Sequence, residues 1–507
     1  MRKLLLILCL ILVGWGYSDI YAQGTTSSRM NGQVLNEAGE AVSGATILAV
    51  HTPTGSRYGA ISNDDGYYRI PNMQVGGPYT VTTKFLGFGD NIQQGIFLTL
   101  GQAFRLDIDL SEQATVLDEV VITSTAGDLF DGNRTGSETY VSEEAINTIP
   151  TSSRRLNDFL RLTPQAAVGN DGAVNSGAIS FAGVNNRFNA IFIDGAVNND
   201  IFGLANTGTN GGQAGISPIS PDALEQIQVV LAPYDVKLGG FAGGGINAVT
   251  RSGTNTLEGS AYYFLRNEDL AGKTPTDIDG ANRTKLDPFT SQTYGFRVGG
   301  PIVKDKLFFF VNAELERREE PRPFVPENYT GATSPGDIVG VLDQIRQRFI
   351  DDYGYDPGGY LNSPQTTNGD KFLVKLDWNI NDNNKLTVRH SYARAETEIH
   401  PAPSNTTIPF EKTGYIFPST TNSSAIELKS TIGNNMSNNL ILGATIVRDD
   451  RDILGDPFPQ VRIDDGIGTI IVGTDNFSYS NIVFQDVYTL TNNFTLSAGK
   501  HNFTFGT

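Results

Sequence analysis

The sequence runs to 507 residues with 37 Lys plus Arg against 55 Asp plus Glu, a formal net charge of −18, and 56 glycines. A balance this acidic excludes the basic footprint that nucleic-acid binding requires, and a single cysteine, Cys9, excludes a disulfide scaffold. Hydrophobic residues at 39% and aromatics at 10%, set among so many glycines, point to β-structure rich in turns and suit a barrel with a wet interior.

Residues 1–22 read as a secretory signal peptide: Arg2 and Lys3, an apolar run over 4–14 that contains Cys9, and a small-residue exit at Ala22 before Gln23. The run is shorter than the about 20 residues a spanning helix needs, and no later stretch is apolar enough to supply one.

Residues 30–111 carry short strands of period 2 separated by Gly, Asn and Asp turns, the pattern of a small β-sandwich. Asp65-Gly66 before Tyr67-Tyr68 predicts a hairpin. The cluster Asn63, Asp64 and Asp65 is read as turn chemistry, because the spacing of a calcium loop is missing. A linker over 112–127 follows and contains LDEVVIT at 117–123. Val120, Val121 and Ile122 favour extended backbone, and an acidic then β-branched string in a linker suits capture by another protein as an added strand.

From 128 to 256 the chain is rich in Gly and Asn. Leu156, Phe159, Leu160 and Leu162 share one helical face, and Pro164 ends that helix. An Asp194-Gly195 hairpin, a short helix, a strand near 227–232 and a Gly-rich turn before Arg251-Ser252-Gly253 follow. Gly243, Gly245 and Ala248 satisfy a G-x-G-x-x-A spacing, but a dinucleotide site needs a helix next, and the β-branched run 246–250 argues for a strand. Gly272-Lys273-Thr274 lacks the first glycine of a phosphate loop, since Asn267 stands there.

Beyond 257 the strands lengthen. Leu307, Phe309, Val311, Ala313 and Leu315 alternate with Phe308, Phe310, Asn312, Glu314 and Glu316, and the same scheme returns over 371–380 and 386–392. About nine such strands are expected, near 257–267, 291–300, 306–317, 370–380, 385–395, 423–432, 440–448, 482–494 and 501–507. Apolar-out, polar-in strands joined alternately by short turns and long loops mark an outer-membrane barrel. The histidines His51, His390, His400 and His501 are scattered, without metal-ligand spacing. Arg154 and Arg155 are candidates for facing a ligand or the TonB-linked periplasmic side, although charges at a helix start are ordinarily solvated.

In this position LDEVVIT resembles the TonB box of TonB-dependent outer-membrane transporters. Residues 30–111 are similar to the carboxypeptidase regulatory-like domain that precedes it in transporters of Bacteroidetes type, without any His-x-x-Glu pattern of a peptidase. Residues 128–256 resemble the plug domain, and GGPIVKDKLFFF at 299–310 resembles the first periplasmic turn of the Oar-like branch. The resemblance implies a mainly β fold: a transthyretin-like β-sandwich, an α/β plug over 128–256, and over 257–507 part of an antiparallel transmembrane β-barrel of about 22 strands. Nine strands cannot close such a barrel, so the chain reads as an N-terminal portion.

The implied role is energy-coupled uptake of a bulky substrate across the outer membrane, with the first domain in the periplasm. No cofactor, metal or enzymatic step is implied. Asp118, Glu119, Val120, Val121 and Ile122 would meet TonB of the TonB-ExbB-ExbD complex. Asn198, Asn199, Asn206 and Asn210 would face an extracellular substrate at the plug apex. A lipoprotein partner is compatible with the resemblance. An adhesion, structural or secretion-accessory role on the same barrel is the alternative.

Overall fold

The computed structural model describes residues 24–112, 137–151, 154–169, 177–233, 235–273, 283–499 and 501–507. Its first domain comprises β1 (Ser28–Asn36), β2 (Thr46–His51), β3 (Ser56–Ile61), β4 (Tyr67–Met73), β5 (Gly76–Lys84), β6 (Asn91–Leu98), β7 (Ala103–Arg105) and β8 (Ile108–Leu110). One four-stranded sheet runs β4-β1-β7, with β8 also paired to β1, and the other runs β3-β2-β5-β6. Alternation turns Met30 and Val34 of the first sheet and Ile47, Tyr79 and Ile96 of the second into one shared core. Each such side chain contributes about 1.5–3 kcal/mol by leaving water.

The expected hairpin at Asp65-Gly66 is not one. The turn is present, with Gly66 at φ 77, but β3 and β4 belong to different sheets. The turn carries the chain from one sheet to the other, where β4 pairs with β1 and buries Tyr68 and Ile70 in the shared core.

The second unit holds β9 (Glu138–Val141), α1 (Glu143–Thr148), α2 (Leu156–Leu160), β10 (Ala166–Val168), β11 (Ile179–Phe181), β12 (Ala190–Ile193), β13 (Ala196–Val197), β14 (Leu224–Val230) and β15 (Gly245–Thr250). Its central sheet is ordered β13-β12-β15-β14-β9, with β12 and β15 parallel. Ser142 caps α1 by accepting the Ala145 amide. Helix α2 is a single turn, and Leu162 lies beyond it, 40% exposed, so the apolar face ends at Leu160. All six residues of β15 are buried. The Gly-rich run therefore feeds a core strand and leaves no helix N-terminus for a dinucleotide.

The third unit is β16 (Glu258–Asn267), β17 (Thr290–Val303), β18 (Leu307–Glu320), α3 (Ile338–Tyr353), β19 (Gln365–Asn381), β20 (Asn384–Ile399), β21 (Thr407–Pro409), β22 (Tyr415–Ile432), β23 (Met436–Ile453), β24 (Val461–Asp465), β25 (Gly468–Val472), β26 (Asn481–Ala498) and β27 (His501–Gly506). Nine of these strands form one antiparallel sheet in the order β16-β17-β18-β19-β20-β22-β23-β26-β27. Strands of up to 18 residues exceed the about 9–11 needed to cross a bilayer, and their polar ends extend past the apolar band. Among the described residues the sheet does not close on itself.

One face of this sheet exposes Leu376, Trp378, Val388, Ile426, Leu442 and Leu490. The other buries Glu314, Lys371, Lys375 and Arg389 against the plug. Turns at 304–306, 382–383 and 433–435 are short and define one rim. The opposite rim carries the long connections. The connection expected as a long loop over 317–370 runs over 321–364 and contains α3, closed by Gly354 in the left-handed region at φ 66. Helix α3 and the small sheet β21-β25-β24 enclose a core of Phe324, Tyr329, Ile338, Leu342, Phe410 and Ile470. Three long connections thus fold together into one cap.

Candidate functional site

The plug is held inside the curved sheet by buried charge. At the tip between β12 and β13, Asp194 and Gly195 adopt φ 47 and 79, a turn that aims the aspartate away from its own strand. Its carboxylate accepts hydrogen bonds from the Thr250 amide at 2.9 Å and the Thr250 hydroxyl at 2.7 Å. From the barrel side, Arg389 Nε stands 3.2 Å away and Lys375 Nζ 4.0 Å away. Burial alone would raise the Asp194 pKa, but Lys375 and Arg389 beside it, with the two Thr250 bonds, hold it below the usual carboxylate range. The remaining donors of Arg389 reach Ser391 Oγ, the Ser423 carbonyl and hydroxyl, and the Ile193 carbonyl. Lys375 donates to the Thr250 carbonyl at 2.8 Å. Two barrel cations thus satisfy one plug anion and two plug carbonyls.

A second anchor reverses the polarity. Glu314 of β18 accepts from plug Ser220 at 2.8 Å, from Tyr262 of β16 at 2.6 Å and from Lys371 of β19 at 2.8 Å. Nearer the long-loop rim the contacts turn apolar, where Ala214 and Ile216 pack on Ala393, Ala395 and Phe417. Below the Asp194 anchor a cavity of about 60 Å³ is lined by Asp194, Glu225, Lys375, Arg389, Glu427 and Lys429, among others. It is roomy enough for a water or two among alternating charges. Glu225, whose carboxylate lies under Gly76 of the first domain, is pushed up to about 7 by burial, with Lys375 opposing.

On the long-loop side of the plug, a larger cavity of about 660 Å³ opens between the plug and β16–β18. Arg154, Phe264, Arg266, Phe289, Arg318 and Glu320 are among its lining residues. The Arg154 guanidinium lies 4.3 Å from the Phe264 ring centre and 4.9 Å from that of Tyr262. Arg155, beside it, turns inward and donates to the Gly215 carbonyl at 2.5 Å. Of this arginine pair, Arg154 is the one presented to the cavity.

The asparagines singled out by sequence are distributed differently. Asn198 is buried and donates to Ser423 of the barrel at 3.3 Å. Asn199 accepts the Ile191 amide and donates to the Asn189 carbonyl. Asn206 is exposed, its carbonyl taken by Asn186. Asn210 is buried, and its Oδ1 has no hydrogen-bond partner among the described residues. The structure does not gather the four into one cluster at the 660 Å³ cavity. Asp118, Glu119, Val120, Val121 and Ile122 lie outside the described residues.

His51 is buried in the first domain, bonded to Thr54 and lowered to about 4 by burial. His390 faces outward and pairs with Ser424, while His400 bonds Glu398. Among the described residues, no group of three His, Cys, Asp or Glu side chains is placed to hold a metal ion. No described helix is long and apolar enough to cross a membrane.

Comparison with known proteins agrees with this architecture. Residues 249–357 and 352–507 match the family described as outer membrane beta barrel domain. Residues 29–111 match the carboxypeptidase regulatory-like domain, and 132–246 match the TonB-dependent receptor plug domain. The TonB-dependent transporter Oar of Myxococcus xanthus is 28% identical over 269 residues, 49% of this chain and 23% of that protein. The probable TonB-dependent siderophore receptor PirA of Acinetobacter baumannii is 24% identical over 190 residues, 35% of this chain and 22% of that protein. The crystal structure of the outer membrane transporter YddB from Escherichia coli superposes with a TM-score of 0.50 at 15% identity, over 73% of this chain and 47% of that one, a likeness of fold. The matched region thus spans less than a quarter of the curated relatives and about half of the solved transporter.

Proposed function

We propose, because this chain belongs to the outer membrane beta barrel domain family and carries a TonB-dependent receptor plug domain ahead of the barrel, that it serves energy-coupled uptake of a bulky substrate across the outer membrane. The observation that carries the proposal is the buried bridge from Asp194 to Arg389 and Lys375. A sheet whose inner charges are neutralised by a separate folded unit is blocked at rest. A solute passes only if that unit shifts or deforms, and breaking a buried pair costs about 3–5 kcal/mol once one partner is left alone. Such a barrier calls for an external energy source.

In this reading the nine-stranded sheet is one arc of a closed barrel of about 22 strands, since open sheet edges are not tolerated in lipid. Substrate enters from the long-loop rim into the 660 Å³ cavity beside Arg154. Asp118 to Ile122 pair with TonB as an added strand and pass on force from the inner membrane. Because the relative PirA is named a siderophore receptor, a ferric chelate is the first substrate to test.

A second reading, adhesion or another surface role, draws on the cap built by α3 and β21-β25-β24, which is more structure than a pore rim needs. Deleting residues 117–123 separates the two. Uptake stops under the transport reading, whereas attachment persists under the surface reading.

A further inference from the structure

The segment 24–28 leaves the first domain and enters the seam between plug and barrel wall. At Gly24 a Cβ would stand 2.6 Å from Phe192 Cβ and 2.8 Å from Asn247 Oδ1, so only glycine passes there. The Thr25 amide donates to Asn247 Oδ1 at 3.2 Å. Asn247, buried in β15, is itself fixed by donating to Gln228 at 3.0 Å. Thr26 is 7% exposed. Its hydroxyl donates to the Glu427 carboxylate of β22, and its carbonyl accepts from Lys429 at 3.3 Å. Its methyl would lie 3.2 Å from a Cβ at Gly195, the residue beside the anchoring Asp194. Five residues of extended chain therefore touch the plug hairpin, the plug's central strand and the barrel wall at once.

The same segment is tied firmly to the first domain. The Gly101 amide donates to the Ser27 carbonyl at 3.1 Å, and the Arg29 amide to the Gln102 carbonyl at 2.9 Å. The chain then continues as β1, the central strand of its sheet. That domain is seated on both neighbours. Val75 and Leu100 pack with plug residues Val249 and Tyr140, and the Leu100 amide donates to Gln226 at 3.0 Å. On the barrel rim, Asn379 donates to Ser56 at 2.9 Å and Asn72 donates to the Asn438 carbonyl at 3.2 Å.

We propose that segment 24–28 is a bolt that retains the plug: it fills the seam between the Asp194 hairpin and β22, and it withdraws only when the first domain leaves its seat. The seam is thus a peptide-binding site occupied in cis, and the first domain is the handle of the bolt. Glu427, Lys429 and Asn247 recognise backbone and hydroxyl groups, so the site takes a short extended segment with a small residue leading and a hydroxyl third. The proposal rests on the reading that the plug closes the barrel, but retention can be measured without any transported substrate.

The test uses the full-length protein in cells lacking TonB and reads entry of vancomycin, a probe too large for ordinary porins, at matched surface levels. Gly24→Val blocks entry of the segment and is expected to abolish vancomycin exclusion and expose the plug to added protease. A second variant, Thr26→Asp, sets a carboxylate against that of Glu427 in the seam and is expected to weaken exclusion, with Glu427→Gln in the same chain restoring part of it. Unchanged exclusion and protease resistance in Gly24→Val would overturn the proposal. So would unchanged exclusion in Thr26→Asp, which decides the matter even where Gly24→Val does not assemble. If the wild type takes up no substrate at all, the transport reading fails while the exclusion results stand on their own.

Discussion

Arg389 of the barrel and Asp194 of the plug face each other at 3.2 Å, both buried, across the boundary between the two units. Neither is solvated, so the pair is a junction rather than a surface contact, and its loss is felt by the plug before the barrel. Arg389→Ala strands the Asp194 charge with only Lys375 near, and should cost about 3–5 kcal/mol. Asp194→Asn retains an acceptor for Thr250 and should cost less. Limited proteolysis of purified protein checks the order: plug fragments should appear first in Arg389→Ala, with the barrel intact. Equal resistance in both variants and the wild type would show that the junction does not hold the plug.

The same carboxylate sets an acid limit. With its pKa held below the unfolded value of 3.8, Asp194 contributes stability that is present above that value and is lost as pH falls through the folded one. The Asp194 contribution to plug retention should be flat from neutrality to about pH 4 and fall below it. Asp194→Asn should flatten that acid limb.

Glu225 works in the opposite sense. Burial pushes it up to about 7, against an ordinary 4.5, with Lys375 and Arg251 opposing and Glu143 and Asp377 reinforcing. Its contribution to seating the first domain is therefore complete below 4.5 and lost as pH rises through about 7. A cysteine at Val75, buried in that seat, should react with a thiol reagent faster at pH 8 than at pH 6. Glu225→Gln should abolish the difference. A pH-independent rate, after correction for thiolate fraction, would contradict the assignment.

Lys371 and Glu314 allow a sharper electrostatic test. Lys371→Ala leaves Glu314 buried with only Ser220 and Tyr262 as donors. Lys371→Met combined with Glu314→Leu removes both charges and keeps volume. The single change should lower the unfolding temperature more than the double one. The reverse order would mean that the pair stabilises outright.

Much of this architecture is legible in the sequence because alternation of period 2 survives along the barrel strands. In the runs 307–316 and 371–380, alternation by itself places Glu314, Lys371 and Lys375 on the inner face. Their plug partner is not legible as such: Asp194 sits in an Asp-Gly pair that reads equally well as plain turn chemistry, and Thr250 is 56 residues away. Helix α3 hides inside a long polar connection, although Ile338, Leu342, Ile345 and Phe349 recur at helical spacing and pack together. Segment 24–28 carries no periodic signal, since its contacts lie 222 and 403 residues downstream. Local pattern cannot report such pairings.

Opening of the barrel by force delivered through a strand-paired segment is tested most directly at Val121. Val121→Pro removes a backbone donor and fixes φ, while Val121→Ala keeps the donor and loses side-chain area. Uptake of radiolabelled ferric chelate is compared for the two variants and the wild type at matched surface levels. Strand-coupled opening predicts uptake close to wild type for Val121→Ala and none for Val121→Pro, with ligand binding retained in both. Wild-type uptake by Val121→Pro would contradict it.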